Sequence, residues 1–176
     1  MLYWGQIKNE RMILVISLKK PACPEAVGLA FRVVPTAPKG AKPSHKLSPV
    51  DVVNLHWSVA DEVGQVVFST NTPVNLRAHP NISRLFLFAA WRDQPFLCSA
   101  EVVDILSPAP DKYLRTSVPA EIQVPEWRGE DAKTVMILRD FQQLDPDTCD
   151  LVLLNKNVLL RDQIRVPRFR TCFVKL

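Results

Sequence analysis

Glycine is scarce in this chain, five residues in 176 against fifteen prolines. No P-loop and no nuclease signature occurs, so any motor or cutting activity would lie in a separate component. No run approaches the ~20 apolar residues needed to cross a bilayer. The apolar run near the start, Met12 to Leu18, meets Lys19 and Lys20 at once and lacks the small-residue cleavage site of a secretory signal. The four cysteines, Cys23, Cys98, Cys149 and Cys172, are dispersed. None forms a C-x-x-C pair or stands at metal-ligand spacing with His45, His56 or His79. No fixed-period repeat is visible. These absences predict a soluble, cytoplasmic protein with reduced core thiols, no metal, no cofactor and no membrane contact.

What is there supports one globular domain over residues 1–176: a 47% hydrophobic content is enough for a real core at this length. The formal net charge of +4 is compatible with a polyanionic partner without demanding one. Met12 to Ile16 reads as a buried strand. From residue 21 to residue 49 the prolines Pro21, Pro24, Pro35, Pro38, Pro43 and Pro49 punctuate a segment with one apolar island, Val27 to Val34. So many fixed φ angles exclude long helices and central strands there. Lys39 to Lys46 reads as an exposed basic loop, either simply solvated or a docking arm.

Ser48-Pro49-Val50-Asp51 has the order of a helix start, Ser as N-cap and Pro at the first helical position. Val50 to Trp57 is too short for periodicity to choose between helix and strand. Leu85 to Trp91, the turn Arg92 to Pro95 and Phe96 to Ile105 predict a hairpin of doubly buried strands at the centre of a sheet. A loop or turn carries Glu126-Trp127, and a further strand runs from Thr134 to Leu138. Between Arg161 and Lys175 the bases Arg161, Arg165, Arg168, Arg170 and Lys175 face one acid, Asp162. Such a cluster is either a solvated face or a set of phosphate contacts. Many short strands with few helical patterns predict an α+β fold, a compact curved or barrel-like mixed β-sheet with a few short flanking helices.

The stretch from Gly64 to Asn75 is the most informative. Val66, Val67 and Phe68 have strand composition, and they stop in the polar cluster Ser69-Thr70-Asn71-Thr72 closed by Pro73. Short hydroxyl and amide arms beside an aromatic ring suit the edge and face of a flat ligand such as a nucleobase. An ordinary loop capping a strand has the same composition.

Across residues 64–166 the order of motifs resembles the YTH domain and its EVE and PUA-like relatives. The matching elements are Phe68-Ser69-Thr70, Pro73-Val74-Asn75, Arg84 to Phe88, Arg92-Asp93 and Ser99 to Val102, then Pro125-Glu126-Trp127, Asp140-Phe141, Asn155 with Asn157, and Arg161-Asp162-Gln163-Ile164. One extra residue sits between Thr70 and Pro73, and the Gly of the family's Arg-Asp-Gly-Gln run is missing. The family reads a modified base in an aromatic cage. The resemblance implies Phe68 and Phe141 as cage walls, Trp127 completing them, Ser69 and Thr70 at the base edge or the adjacent phosphate, and Asn71 and Asp140 in the same pocket. It implies Asn75, Lys156, Arg161, Arg165 and Arg168 as phosphate contacts. The family's first strand supplies an Asn or Ser to the base; Ile16-Ser17 and Leu55-His56-Trp57-Ser58 compete for that role, so Ser17 and Trp57 both stand as candidates. A helix is expected after Asn75, shortened by Pro80.

The implied function is a non-enzymatic reader of a methylated base, in DNA by base flipping first and in RNA second. It would serve as the specificity domain of a methylation-dependent restriction system of the McrB kind. Two other classes compete. A PUA-like barrel could act as a small amidohydrolase through Lys19 or Lys20, Thr70 and Glu101, although no spacing ties these together. A protein-interaction module would use Trp4, Trp57, Trp91 and Trp127 only as core or interface residues.

Overall fold

The structure, a computed structural model, describes residues 25–75, 78–91, 94–106 and 118–176. The expected strand at Met12 to Ile16, and with it Ser17, Lys19, Lys20 and Cys23, lies outside the described residues.

The apolar island after the first prolines forms β1 (Val27–Arg32), which, against the expectation that the prolines exclude a central strand, is paired on both sides, because no proline falls within it. The Ser48-Pro49 signal then starts a helix. The Asp51 N–H donates to Ser48 Oγ at 3.1 Å while the Ser48 N–H donates to Asp51 Oδ2 at 3.2 Å. This reciprocal cap satisfies donors that the first helical turn leaves orphaned. The resulting α1 (Pro49–Val63) runs for 15 residues, which decides between the helix and the strand that the sequence left open. Val52, Val53, His56 and Ala60 recur at helical spacing and form its buried face. Gly64 ends it at φ 86°, its N–H donating to Ala60 O.

The chain then enters β2 (Val66–Thr70), β3 (Ile82–Trp91), β4 (Gln94–Leu106), β5 (Thr134–Leu144), the short helix α2 (Leu160–Gln163) and β6 (Thr171–Lys175). The six strands form one sheet in the order β2-β5-β4-β3-β1-β6. Among these six described strands only β1 and β3 pair in parallel, which the crossover through α1 and β2 permits. The hairpin expected at the centre of the sheet is there, β3 against β4, with both faces covered. Leu85, Leu87, Cys98 and Ala100 pack on the α1 side. Phe86, Phe88 and Leu97 pack on the other side against Leu153, Leu160, Ile164 and Val174.

Closure into a barrel is not seen among the described residues, because β2 and β6 are separate edges of an open sheet. Each edge is instead covered by a loop: Val67 bridges Gln123 beside β2, and Leu153 bridges Val174 beside β6. These bridges shorten the row of free N–H and C=O groups that each edge offers to another strand.

Part of the segment where a shortened helix was expected after Asn75, residues 76 and 77, lies outside the described residues; beyond it Ala78 N–H donates to Asn75 Oδ1 at 3.2 Å and His79 N–H to Asn75 O at 3.3 Å. No helix occurs among the described residues between Asn75 and β3. Asp140-Phe141 lies beyond the strand expected at Thr134 to Leu138 but inside β5. Ser99 pairs with Gln142 and Glu101 with Arg139, so Asp140 and Phe141 together oppose Ala100. Asp140 takes a left-handed φ of 51° to make this bulge. Met136 and Leu138 face α1, and strict alternation would bury Asp140 next. The extra residue turns Asp140 outward and puts Phe141 into the core.

Candidate functional site

A cavity of about 430 Å³ opens where β1 and β2 end, beneath α1 and the segment that precedes β5. Its size falls within the roughly 300–1,000 Å³ of typical small-molecule sites. Phe68, Ser69, Thr70, Asn71 and Trp127, all singled out from the sequence, line it together.

The aromatic wall is a chain of contacts. Phe31 meets Phe68 edge to face at 5.6 Å, Phe68 meets the His56 ring at 5.3 Å, and His56 stacks on Trp127 at 5.6 Å and 19°. Alternation along β2 turns Phe68 into the α1-side core and Ser69 outward. Trp127 sits in a single 3₁₀ turn, Pro125–Trp127, and is fixed by an Nε1–H bond to Ala37 O at 3.0 Å. A ring held at both its face and its polar edge is preorganised for stacking.

The polar shelf is fixed from β5. Thr134 is fully buried, its hydroxyl donating to Thr72 O at 3.1 Å and accepting from the Val74 N–H at 3.3 Å. Thr70 Oγ1 accepts from the Thr72 N–H at 3.1 Å, which tightens the same turn. Sequence reading missed Thr134 because its role depends on strand register, Thr70 against Thr134, which no local pattern reveals.

His56 is the other residue that sequence reading did not single out by itself. It is buried, and its Nδ1 lies 2.7 Å from Val52 O. A carbonyl only accepts, so Nδ1 carries the proton, and in the neutral ring Nε2 is left as an acceptor. Burial lowers the His56 pKa from 6.5 to about 4, against the opposing pull of the Val52 carbonyl and Glu126. The signal in the sequence was only the spacing Val52, Val53, His56, Ala60, and spacing cannot distinguish a cavity-lining histidine from a core one.

A stability consequence follows from that depressed value. Above pH 6.5 both folded and unfolded states hold His56 neutral. As pH falls from 6.5 toward 4 the unfolded chain takes up a proton that the folded one refuses, and this costs up to about 3 kcal/mol. Urea unfolding at pH 7 and at pH 4.5 should therefore show less stability at the lower value, and His56→Gln should flatten that part of the profile. An unchanged slope in the variant would mean that other groups carry it.

Elsewhere the structure separates residues that the sequence grouped. Phe141 stacks on Trp57 at 5.8 Å under α1, and neither lines the cavity. The wall facing Phe68 is thus His56 and Trp127, not Phe141, because the β5 bulge spends Phe141 on the core. Asp140 is exposed beside Arg139, 3.5 Å from its Nε. Asn75 and Lys156 line a second cavity of about 440 Å³ on the far side of Thr72 and Thr171, which border both. Arg161 pairs with Asp150 at 2.9 Å and Arg165 with Asp147. The basic run that met a single acid along the chain meets two more in space, since residues 145–150 fold back against it. Arg168 is exposed in a left-handed turn at φ 70°.

Thr70 and Glu101 are not brought together. Thr70 pairs with Thr134 and Glu101 with Arg139, five positions along β5, or about 17 Å at strand rise. Glu101 is also engaged by Arg139 at 2.7 Å, which holds its carboxyl below the ordinary range.

At the cavity rim, burial pushes the Glu130 carboxyl up although Lys39 stands near it. Among the described residues two buried side-chain polar atoms have no hydrogen-bond partner, Arg32 Nε and Glu126 Oε2, one on a lining residue and one next to Trp127. Cys98, Cys149 and Cys172 are free thiols, and burial raises Cys98 and Cys172 to about 12. Among the described residues no group of His, Cys, Asp and Glu could hold a metal ion, and no helix is long and apolar enough to cross a membrane. Comparison with protein-family models, with curated proteins and with solved structures found no significant match to this chain.

Proposed function

We propose that the cavity under α1 receives a methylated nucleobase and that the chain is a non-enzymatic nucleic-acid reader of PUA-like type. The observation that carries this reading is the convergence of Phe68, Ser69, Thr70, Asn71 and Trp127 on one cavity. A methyl group adds no hydrogen-bonding information, so it is recognised by apolar burial, ~0.8 kcal/mol for one carbon and more with stacking. Phe31, Phe68 and Trp127 provide apolar surface, and Thr70, Asn71 and His56 are lining residues with polar groups for a base edge. An acceptor at Nε2 suits a base that presents an amino or ring N–H group.

Methylated DNA is the first choice of ligand and methylated RNA the alternative, with the base flipped out of a duplex or taken from a single strand. A role as the specificity module of a restriction system rests on the resemblance to YTH and EVE domains alone. Free thiols at Cys98, Cys149 and Cys172 fit a cytoplasmic setting. The test is fluorescence anisotropy with methylated and unmethylated oligonucleotides, DNA and RNA, each at two salt concentrations. Tighter binding of the methylated form, weakening with salt, is the expected result. No methylation-dependent binding to any of them would overturn the reading.

A further inference from the structure

We infer that the loop 36–47 is a preformed phosphate-contacting rim for the nucleic-acid strand whose base enters the cavity, an inference that rests on the base-binding reading above. The sequence offered the basic cluster after residue 160 for phosphates and left this loop as a solvated segment or a docking arm. Arg161 and Arg165 of the second are paired with Asp150 and Asp147. An ion pair must be broken, or its acid tolerated, before such an arginine can meet a phosphate.

The loop is different in charge. No Asp or Glu occurs between Glu25 and Asp51, while Lys39, Lys42 and Lys46 are all exposed. Lys42 and Lys46 form no ion pair among the described residues. Glu130 and Asp131 are the acids on the cavity side of this rim, and each is already engaged by a neighbour.

The loop is also built rather than loose. Thr36 and Leu47 close its base through a pair of backbone bonds of 3.3 and 2.9 Å. Ala41 N–H to Pro38 O and His45 N–H to Lys42 O form two turns within it. Pro38 and Pro43 fix φ beside these turns, and Gly40 supplies a φ of 77°. Three bonds then pin it to the segment that carries the cavity wall: Trp127 Nε1–H to Ala37 O at 3.0 Å, Lys39 N–H to Glu126 O at 2.7 Å, and Lys39 Nζ to Arg128 O at 3.1 Å. Lys39 is thereby used as a strut, leaving Lys42 and Lys46 as the outward cations. Thr36, at the root of the loop, lines the cavity itself. Cations held in place lose less freedom on binding than cations on a free chain, and placement beside the stacking ring sets a base and its backbone on adjoining surfaces.

The experiment compares wild type, Lys42→Gln/Lys46→Gln and Arg161→Gln/Arg165→Gln for binding a methylated single-stranded oligonucleotide from about 50 to about 200 mM salt. Each phosphate contact to a single strand contributes ~0.7 to the log–log salt slope. Loss of two should flatten the slope by about 1.4, so the advantage of wild type over the lysine variant shrinks about sevenfold across that range. The preference for methylated over unmethylated oligonucleotide should stay as in wild type, since backbone contacts carry no base information. The arginine variant should keep the wild-type slope. Binding with an unchanged slope in the lysine variant, or a slope lost only in the arginine variant, overturns the rim while leaving the base-binding reading standing. Dependence on Lys42 and Lys46 for phosphatidylserine vesicles but not for the oligonucleotide overturns it equally. If wild type binds no oligonucleotide at any salt, the base-binding reading fails first.

Discussion

Trp127→Ala should weaken binding of a methylated oligonucleotide about 5- to 150-fold, the equivalent of the ~1–3 kcal/mol that one base gains by stacking on an aromatic side chain. Trp127 is the variant of choice because it is half-buried and sits on a short turn, whereas Phe68 is buried among Phe31, His56 and the α1 side of the sheet. Truncating Phe68 would mix lost binding with lost folding. Phe141→Ala supplies the contrast. Its ring lies against Trp57 in the core, so its removal should cost about 3 kcal/mol of stability by the usual penalty for a buried aromatic. At a temperature where that variant is still folded, its preference for the methylated base should equal that of wild type. Anisotropy titrations paired with thermal melts measure both. Undiminished affinity in Trp127→Ala, or a preference erased in folded Phe141→Ala, would return the second wall of the cage to Phe141.

Gly28→Ala should destabilise the fold by up to about 3 kcal/mol, the upper part of the range for overpacking a well-filled core. Gly28 lies in β1 between β3 and β6, paired with Arg84 on one side and Val174 on the other. A methyl there would stand 2.5 Å from Phe86 Cε2 and 2.7 Å from Val174 Cγ2. Neither neighbour can withdraw freely, because both are packed in the cluster that covers the outer face of the sheet. The glycine is needed for space, not for its backbone freedom. Urea denaturation should show a midpoint lowered by up to roughly 1–3 M with an unchanged slope of ~1–3 kcal/mol/M. Adding Val174→Ala should recover part of the loss. A midpoint equal to that of wild type would show that the Phe86 ring can move aside.

How far the chain could be read in advance depended on the range of the interactions concerned. The β3–β4 hairpin was legible because two apolar runs and a turn are consecutive, and the start of α1 because Ser48, Pro49 and Asp51 are neighbours. The length of α1 was not, since Val52, His56 and Ala60 become one face only if the helix is assumed. The cavity was half legible. Phe68 to Asn71 announce themselves as a strand running into hydroxyls, while Thr134, which holds that shelf, and His56, which joins Phe68 to Trp127, depend on register and on packing. The Phe141 expectation failed for a definite reason: a single left-handed residue, Asp140, shifts the phase of β5, and period-2 reasoning assumes no such shift. Charge misled in the same way, since the partners of Arg161 and Arg165 are 11 and 18 residues distant.

The pairing of β1 with β6 joins residues near 30 to residues near 172. During synthesis, then, the described residues that cover the outer face of β1 and β3, with Ala30, Phe86 and Phe88, are those from Cys149 to Val174, which leave the ribosome well after the strands they cover. The buried cluster on the α1 side draws on Val27 to Phe141, with Leu154 and Phe173 packing at its edge, so most of it can form earlier. The cavity is completed only afterwards, since Arg170 and Thr171 line it, and until then the growing chain is most exposed to aggregation on the outer face.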